Sequence, residues 1–538
     1  MPESPFRRSL NARRRTWALL FAALLAWTVA RRMGREDGST ERSVAAERTR
    51  SEAGTRNRRE EDEGVAFPPL GALRDRGRLW PPDLDKPICD LKIYVYDLPP
   101  DLRLPDKTVS QCRWSAYNSE LLLHQLLVEP PAGPNASAGH PHYSLYTQDP
   151  TEADFFLIPL FPACFLFDCW VKAGWSKTDR CNVDEGYIQP VMAHIRAVHP
   201  HWNASGGADH LVFHPMDYVD GYYTEESRAA TNASTYLVTV GDVRPAPYGN
   251  YFRAFRDLVI PSATHLLHSY RVNPLDYVDE DGYPLVEPRG AASPHRRADV
   301  DPPRVEIFEP SPEPVDASLW GRMRSHRRFI SHLARTDKAG QRDERAILAI
   351  FRGGLGTPAD GERYALGIRS LFFPSDGNAS TAPFSSAVHP GFSSLPGFDI
   401  AEWSENDDYA QRLARARFGL APPGYTLDTT RIYEYLAFGV VPVFVGSGPA
   451  AGQVVPFARD VDWSSFTLSL PRERAHELPR FLAQVGEAEY ERLRRNVWEV
   501  GRKVVLEGRQ GNVWRLLARD LCRLKRKGVV AGPEIANN

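Results

Sequence analysis

Arg431 and Glu434 stand three residues apart in Thr430-Arg431-Ile432-Tyr433-Glu434-Tyr435-Leu436-Ala437-Phe438-Gly439. On a helix that spacing puts a permanent cation and a carboxylate on one face. The pair suits a sugar nucleotide, with the guanidinium for the diphosphate and the carboxylate as an acceptor for ribose hydroxyls. The competing reading is an intrahelical ion pair on a solvated face. Upstream, Arg352-Gly353-Gly354-Leu355-Gly356 follows an apolar run. A glycine-rich turn there would let backbone N–H groups approach a diphosphate closely; otherwise it is a plain tight turn. Four side chains around another apolar stretch are of types that can take up a proton: Asp209, His210, His214 and Asp217. Each taken alone is more often a loop cap or a buried hydrogen-bonded group, and the reading is that one of the four is the base.

The elements that must carry these groups are legible. Arg417-Phe418-Gly419-Leu420-Ala421 reads as a strand, Pro422-Pro423-Gly424-Tyr425 as a turn, Arg431 onward as a short helix stopped by Gly439, and Val440–Val445 as a second strand. Continuous rather than alternating apolar residues mark parallel strands buried on both faces. Ligands of such sheets sit beyond the carboxyl ends of the strands, which places Gly424, Tyr425, Arg431 and Glu434 together. Ala346–Phe351 is the strand that delivers Arg352, Gly353 and Gly354. Strand-like runs at Leu91–Leu98, Phe155–Phe161, Asp209–His214 and Arg256–Pro261, with a helix at Ser119–Leu127, make a second parallel α/β domain. The expected boundaries are 88–335 for this acceptor-side domain and 340–527 for the donor domain. Two segments, 285–318 and 375–396, interrupt them as Pro- or Ser-rich surface loops.

Length and charge fit this division. A chain of 538 residues exceeds one core, and a net charge of −2 gives no polyanion-binding character, so nucleic acid is not an expected partner. The charge is uneven: residues 1–59 hold 14 Arg against 6 acidic residues, a balance of +8 that leaves −10 for the remainder. Within that basic stretch lies an uncharged run, residues 16–30, flanked by Arg13-Arg14-Arg15 and Arg31-Arg32. Five arginines before the run and fewer after it orient a short type II signal anchor, with 1–15 cytoplasmic and 31–87 a disordered stem. A cleaved signal peptide or an organelle transit peptide are the rival readings.

Sequons at Asn135, Asn203, Asn232 and Asn378, and an even count of 6 cysteines, fit an oxidising lumen. The cysteines lack zinc-ligand spacing. Four Asp-x-Asp triplets (Asp83/Asp85, Asp279/Asp281, Asp299/Asp301 and Asp460/Asp462) fall in stem, polar loops or beside Trp463, so no metal is expected. Trp202, Tyr218, Tyr222, Tyr223, Tyr248 and Tyr251 offer aromatic faces for an acceptor sugar, with ordinary packing the alternative for most.

The donor segment resembles the exostosin family, glycosyltransferase family 47, whose members read roughly Phe-Cys-Leu-x-Pro-x-Gly followed by Arg-Ile-x-Glu-Ala and Gly-Cys-x-Pro-Val. Phe418, Leu420, Pro422, Gly424, Arg431, Ile432, Glu434, Gly439, Pro442 and Val443 fit; Ala416, Gly419, Tyr435 and Val440 depart. Lys92–Pro99, Ala153–Pro159, the segment from Asp209 and Asp257–Pro261 resemble further family blocks, so the likeness covers about residues 91–507. The adjacent His-Asp of the family is split here, with Pro215-Met216 between His214 and Asp217.

The resemblance implies two Rossmann-like domains facing a cleft, the GT-B architecture. It implies an inverting enzyme that moves a monosaccharide from a UDP-sugar to a cell-wall or extracellular glycan. Golgi residence, and a homo- or hetero-oligomer with other glycosyltransferases, accompany that picture. Plant and algal members use galactose, arabinose, xylose or glucuronic acid, and the residues leave that choice open. The alternative is a catalytically silent lumenal partner of an active enzyme. Retention of Arg431, Glu434 and Gly424 argues against it.

Overall fold

A computed structural model describes residues 89–112, 118–128, 145–172, 181–215, 223–244, 252–270, 272–285, 345–354, 364–374, 390–404, 408–506 and 513–526. The expected anchor and stem, Asn135, Asn378, Asp217, Tyr218, Tyr222, Tyr248 and Tyr251 lie outside these residues, as do nearly all of 285–318 and most of 375–396. No helix among the described residues is long and apolar enough to cross a membrane.

Two parallel sheets dominate. The first orders β2-β1-β3-β4-β5-β7, built from β1 (Ile93–Val95), β2 (Tyr146–Thr147), β3 (Phe155–Leu157), β4 (His210–His214), β5 (Thr235–Val238) and β7 (Leu258–Val259). The second orders β13-β11-β10-β8-β9, from β8 (Ile347–Arg352), β9 (Phe398–Ala401), β10 (Ala416–Ala421), β11 (Val441–Val445) and β13 (Leu468–Leu470). Every pairing within both sheets is parallel. All residues of β3, β4 and β11 are buried, as continuous apolar strands covered on both faces require. In the first lobe the helix α1 (Ser119–Val128) precedes β2, and α2 (Pro162–Lys172) and α3 (Gln189–Val198) connect β3 to β4. Val191 and Ile195 of α3 pack with Tyr96, Phe156, Val212 and Tyr236 in the core.

The lobes are joined by short, directional contacts. β6 (Gly241–Asp242) pairs antiparallel with β12 (Gln453–Val454), carrying one strand of each lobe into a two-stranded ribbon. Arg345, fully buried, donates to the carbonyls of Ala416, Gly282 and Phe438 at 2.7–2.8 Å. The final helix α5 (Val513–Arg526) returns to the first lobe, where Trp514 Nε1 donates to the Leu123 carbonyl at 3.0 Å. The same helix keeps Arg519 and Arg523 on Asp460 of the second lobe. All six cysteines are paired, as Cys89–Cys522, Cys112–Cys164 and Cys169–Cys181.

One local feature accounts for two departures from the family pattern. Tyr435 is wholly buried, with its hydroxyl on the Leu420 carbonyl at 2.9 Å. A Cβ on Gly419 would collide with that ring. The small residue on β10 makes room for the large one on the helix, so the two exchanges compensate in volume.

Candidate donor site

The helix α4 here is Arg431–Ala437, one turn beyond the carboxyl end of β10. With seven residues it positions side chains rather than supplying a long dipole. Arg431 donates through Nε to the Arg352 carbonyl and through Nη1 to Thr429 Oγ1 at 3.2 Å. Its guanidinium lies 5.1 Å from the centre of the Phe351 ring. A second guanidinium, Arg369, lies 5.2 Å from the same ring and 4.7 Å from that of Tyr364.

Arg369 is buried and donates to the Gly354 carbonyl at 2.8 Å and to the Tyr364 hydroxyl. Its Nε has no protein partner. Burial, with Arg431 beside it, pulls the Arg369 guanidinium down to about 9. An arginine normally holds its proton well above that value, so the arrangement stores like-charge repulsion that a bound anion would relieve.

The backbone that delivers Arg369 is itself strained. Ala365, Leu366 and Gly367 take φ values of 55°, 52° and 74°, a left-handed run that side chains other than glycine seldom adopt. It is fixed from outside: Ala365 N–H reaches the Gly424 carbonyl at 2.7 Å, and Arg472 Nε reaches the Leu366 carbonyl at 3.0 Å. The tight turn buries Ile368 and aims Arg369 at the ends of β8 and β10.

The glycines serve in different ways. Gly353 leaves no room for a side chain, because a Cβ there would meet the Arg431 guanidinium. Its own N–H is spent on the Ala401 carbonyl at 3.2 Å. The carbonyl of Gly354 holds Arg369. Gly424 is the open one: an added Cβ would touch only Arg369 Nη2, at 3.9 Å. Valine at 424 therefore folds as the parent does, yet occupies the space over the guanidinium. We expect a Gly424→Val variant to keep its melting temperature and lose UDP affinity at least about tenfold by calorimetry, which is about 1.4 kcal/mol. Parental affinity in that variant would remove Gly424 from the site. Tyr425 is half exposed and meets Tyr364 edge-on at 4.9 Å.

Two donor-side residues point elsewhere than expected. The Arg352 side chain turns along β9, giving Nη2 to Asp399 Oδ1 at 2.8 Å and Nη1 to the Asp399 carbonyl at 2.9 Å. Only its carbonyl serves the site, as the acceptor for Arg431. Glu434 is buried, taking the Tyr409 hydroxyl at 3.0 Å and the backbone N–H of Leu266 from the other lobe. Burial raises its pKa and nearby Arg431 opposes the rise. In this geometry Glu434 ties the lobes together beneath Arg431.

On the acceptor side, His210 and His214 occupy the core, and Asp209, half-buried, is held by Ser205 and His210. His210 opens β4, at the end away from the cleft, between Tyr96 Oη at 2.7 Å and Asp209 Oδ1 at 2.6 Å. Trp202 packs on it edge-on at 4.6 Å. His214 closes β4 but lies under Tyr223 and Tyr236, with ring centres 4.1 and 4.3 Å away. Burial, then Arg253, lowers its pKa to about 3, so the ring stays neutral. Trp202 and Tyr223 are thus packing residues rather than open platforms. Asp460 spends both oxygens on Arg519 and Arg523, and Asp462 caps the turn at Ser464, so that Asp-x-Asp is engaged by protein groups. Asp279 closes its own loop through the N–H groups of Asp281 and Tyr283. Among the described residues, no group of three or more His, Cys, Asp or Glu is gathered as a metal site would require. The described sequon asparagines, Asn203 and Asn232, are both exposed.

Sequence reasoning missed Arg369, although its signal was there: a lone cation inside Ala365-Leu366-Gly367-Ile368-Arg369-Ser370-Leu371-Phe372. A buried charge needs a partner, and that run contains no acidic residue. His265 was missed as well. It follows the β7 run directly, in Pro261-Ser262-Ala263-Thr264-His265, where ligand-facing loops of such sheets lie.

Comparison with known proteins identifies the family. The model of the exostosin GT47 domain matches residues 89–485. A probable glucuronosyltransferase of Oryza sativa subsp. japonica is 24% identical over 74% of this chain and 71% of its own length. A probable beta-1,4-xylosyltransferase of Arabidopsis thaliana is 21% identical over 74% and 73%, respectively. A solved Anabaena structure in complex with UDP-glucose covers 81% of this chain and 100% of its own, at 11% identity and a TM-score of 0.30, too low to bear on fold or donor. With the family model spanning most of the chain, from β1 past the β10–α4–β11 unit, the chain belongs to the exostosin GT47 family and is a glycosyltransferase.

Proposed function

We propose that the enzyme binds a UDP-sugar at the carboxyl ends of β8 and β10 and transfers its monosaccharide to a glycan with inversion. The observation that carries this reading is the Arg369–Arg431 pair, a buried and a half-buried cation lying 5.2 and 5.1 Å from the Phe351 ring centre, with Gly424 open beside Arg369. A diphosphate supplies the two negative charges that such a pair lacks. The same cations would stabilise the charge that grows on the departing UDP, so donor binding and leaving-group stabilisation come from one clamp. Inversion follows the family resemblance and needs one displacement with one base. Two Rossmann-like lobes in a GT-B arrangement fit the two parallel sheets and the contacts between them.

No metal is required in this scheme, since the guanidinium groups perform the electrostatic task. Residence in the Golgi membrane as a type II protein is supported by the uncharged run at residues 16–30, by exposed Asn203 and Asn232, and by complete cysteine pairing.

The test is calorimetry with UDP, followed by UDP release from UDP-glucuronic acid, UDP-xylose, UDP-galactose and UDP-glucose with wall-glycan fragments as acceptors. We expect UDP to bind in the micromolar range and one donor to support transfer in the presence of a metal chelator. No UDP binding to the folded, full-length chain would end the donor reading.

A further inference from the structure

We propose that His265 is the general base, receiving the proton of the acceptor hydroxyl as the sugar leaves UDP. The inference rests on the donor reading above and adds the group that reading lacks.

His265 belongs to the first lobe, on a turn that is hydrogen-bonded to the segment of the second lobe carrying Arg431. The chain leaves β7 through Ile260 and a buried run, Pro261 to Thr264, that is pinned at successive residues. Ser262 Oγ donates to Asp428 Oδ2 at 2.5 Å, in the turn just before α4. Ala263 N–H donates to Ser119 Oγ, at the start of α1, at 2.7 Å. Thr264 Oγ1 accepts from Leu267 N–H at 3.0 Å and starts the wide turn His265–Ser269. Leu266 then gives its N–H to Glu434 of α4.

Between buried Thr264 and buried Leu266, His265 alone turns an exposed side chain outward, within electrostatic reach of Arg431. Bonds on both sides of it therefore fix the His265 backbone at the junction of the lobes. This is the preorganisation that a base acting on a second substrate needs.

The other described candidates lack that access. His210 and His214 are enclosed in the first core. Glu120 is wholly buried, with its carboxylate on the N–H groups of Ala163 and Cys164. An imidazole is also the right type here. A carboxylate beside Arg431 would pair with it and compete with the diphosphate, whereas a neutral ring leaves the cation to the donor.

In the step, the acceptor oxygen forms its bond to the anomeric carbon. The bond from that carbon to the β-phosphate oxygen breaks, and its electron pair leaves with UDP. The hydroxyl proton moves to a ring nitrogen of His265, and the resulting imidazolium later releases it to solvent.

The charged group acting on the ring is Arg431 of α4, while Glu434 and Asp428, on the elements packed against this turn, are bonded to Leu266 and Ser262. Packing around the ring lowers its pKa even though the residue keeps exposed surface, and Arg431 lowers it further. The active form is the neutral one, so activity falls as pH drops through a value below the usual imidazole range. A diphosphate on Arg431 offsets part of that lowering. The acid limb of kcat, which reports the substrate complex, should therefore lie above that of kcat/KM.

His265→Gln keeps a polar side chain of similar reach but cannot take up a proton. We expect its UDP affinity, by calorimetry, to stay within about threefold of the parent. Transfer, read as UDP release with the donor and glycan fragment that serve the parent, should drop about 10²–10⁴-fold and lose its acid limb. Added imidazole should restore part of the rate of His265→Ala. A His265→Gln enzyme with parental rate and acid limb would overturn the assignment. So would one that loses UDP affinity along with rate, since His265 would then be a donor-binding group. Failure of the parent itself to bind UDP would instead strike the donor reading, which separates the two claims.

Discussion

Transfer by an Arg369→Met variant is expected to fall about 10²–10³-fold, with a comparable fall for Arg431→Met. Methionine keeps a long apolar stem against Phe351 and Tyr364 while removing the charge, so packing and charge are separated. The folded protein without donor should not suffer in proportion. Burial and Arg431 already act against the Arg369 charge, and removing it deletes that repulsion. The melting temperature should hold or rise while UDP affinity falls, the expected exchange of stability for function at a strained site. Because each guanidinium raises the cost of the other, the double variant should lose less than the sum of the single losses. Calorimetry with UDP and initial rates on all three variants read this out. If Arg369→Met binds UDP as the parent does, the clamp is wrong.

The contrast between Arg431 and Arg369 explains what the sequence could reveal. Arg431 was legible because it follows a Pro-Pro-Gly turn between two apolar strands, a pattern that specifies both the element and its ligand-facing end. Arg369 reaches the same spot through three left-handed residues held by Gly424 and Arg472, and no local propensity encodes such a path. The parallel sheets, the α1 helix at Ser119 and the β10–α4–β11 unit follow from continuous apolar runs and glycine stops, so they were readable.

Side-chain direction was not. Arg352, at the end of β8, could have turned toward the glycines or toward β9, and Asp399 decides it through a pairing 47 residues away in sequence. Likewise, nothing local says that His214 ends beneath Tyr223 and Tyr236. The aromatic lid comes from a later strand and from the segment before Glu225. Tertiary contacts set these directions, and sequence spacing carries no record of them.

Removing the Cys89–Cys522 bond in a double serine variant is expected to cost more stability than any other single covalent change. The bond joins residues 433 apart, and the chain-entropy relation assigns a loop of that size roughly 5–6 kcal/mol. The nested pairs Cys112–Cys164 and Cys169–Cys181 shorten the effective loop only slightly, because the dependence is logarithmic. What remains to hold α5 is its buried apolar face, with Trp514, Leu516, Leu517, Leu521 and Leu524, together with the Trp514–Leu123 hydrogen bond, the Lys525–Asp154 ion pair and the arginines on Asp460. Exposed parts of that set contribute little, so the helix should loosen before the sheets do. We expect the melting temperature to drop on the order of 5–10 °C in the double variant, and by at least as much in parent protein treated with reductant, which also opens the other two bonds. A double variant melting within about 1 °C of the parent would show that noncovalent packing suffices. The larger loss would also bear on where the enzyme works. A glutathione-reduced compartment would deny the chain this clasp, and production there should give a less stable body than secretion through an oxidising lumen.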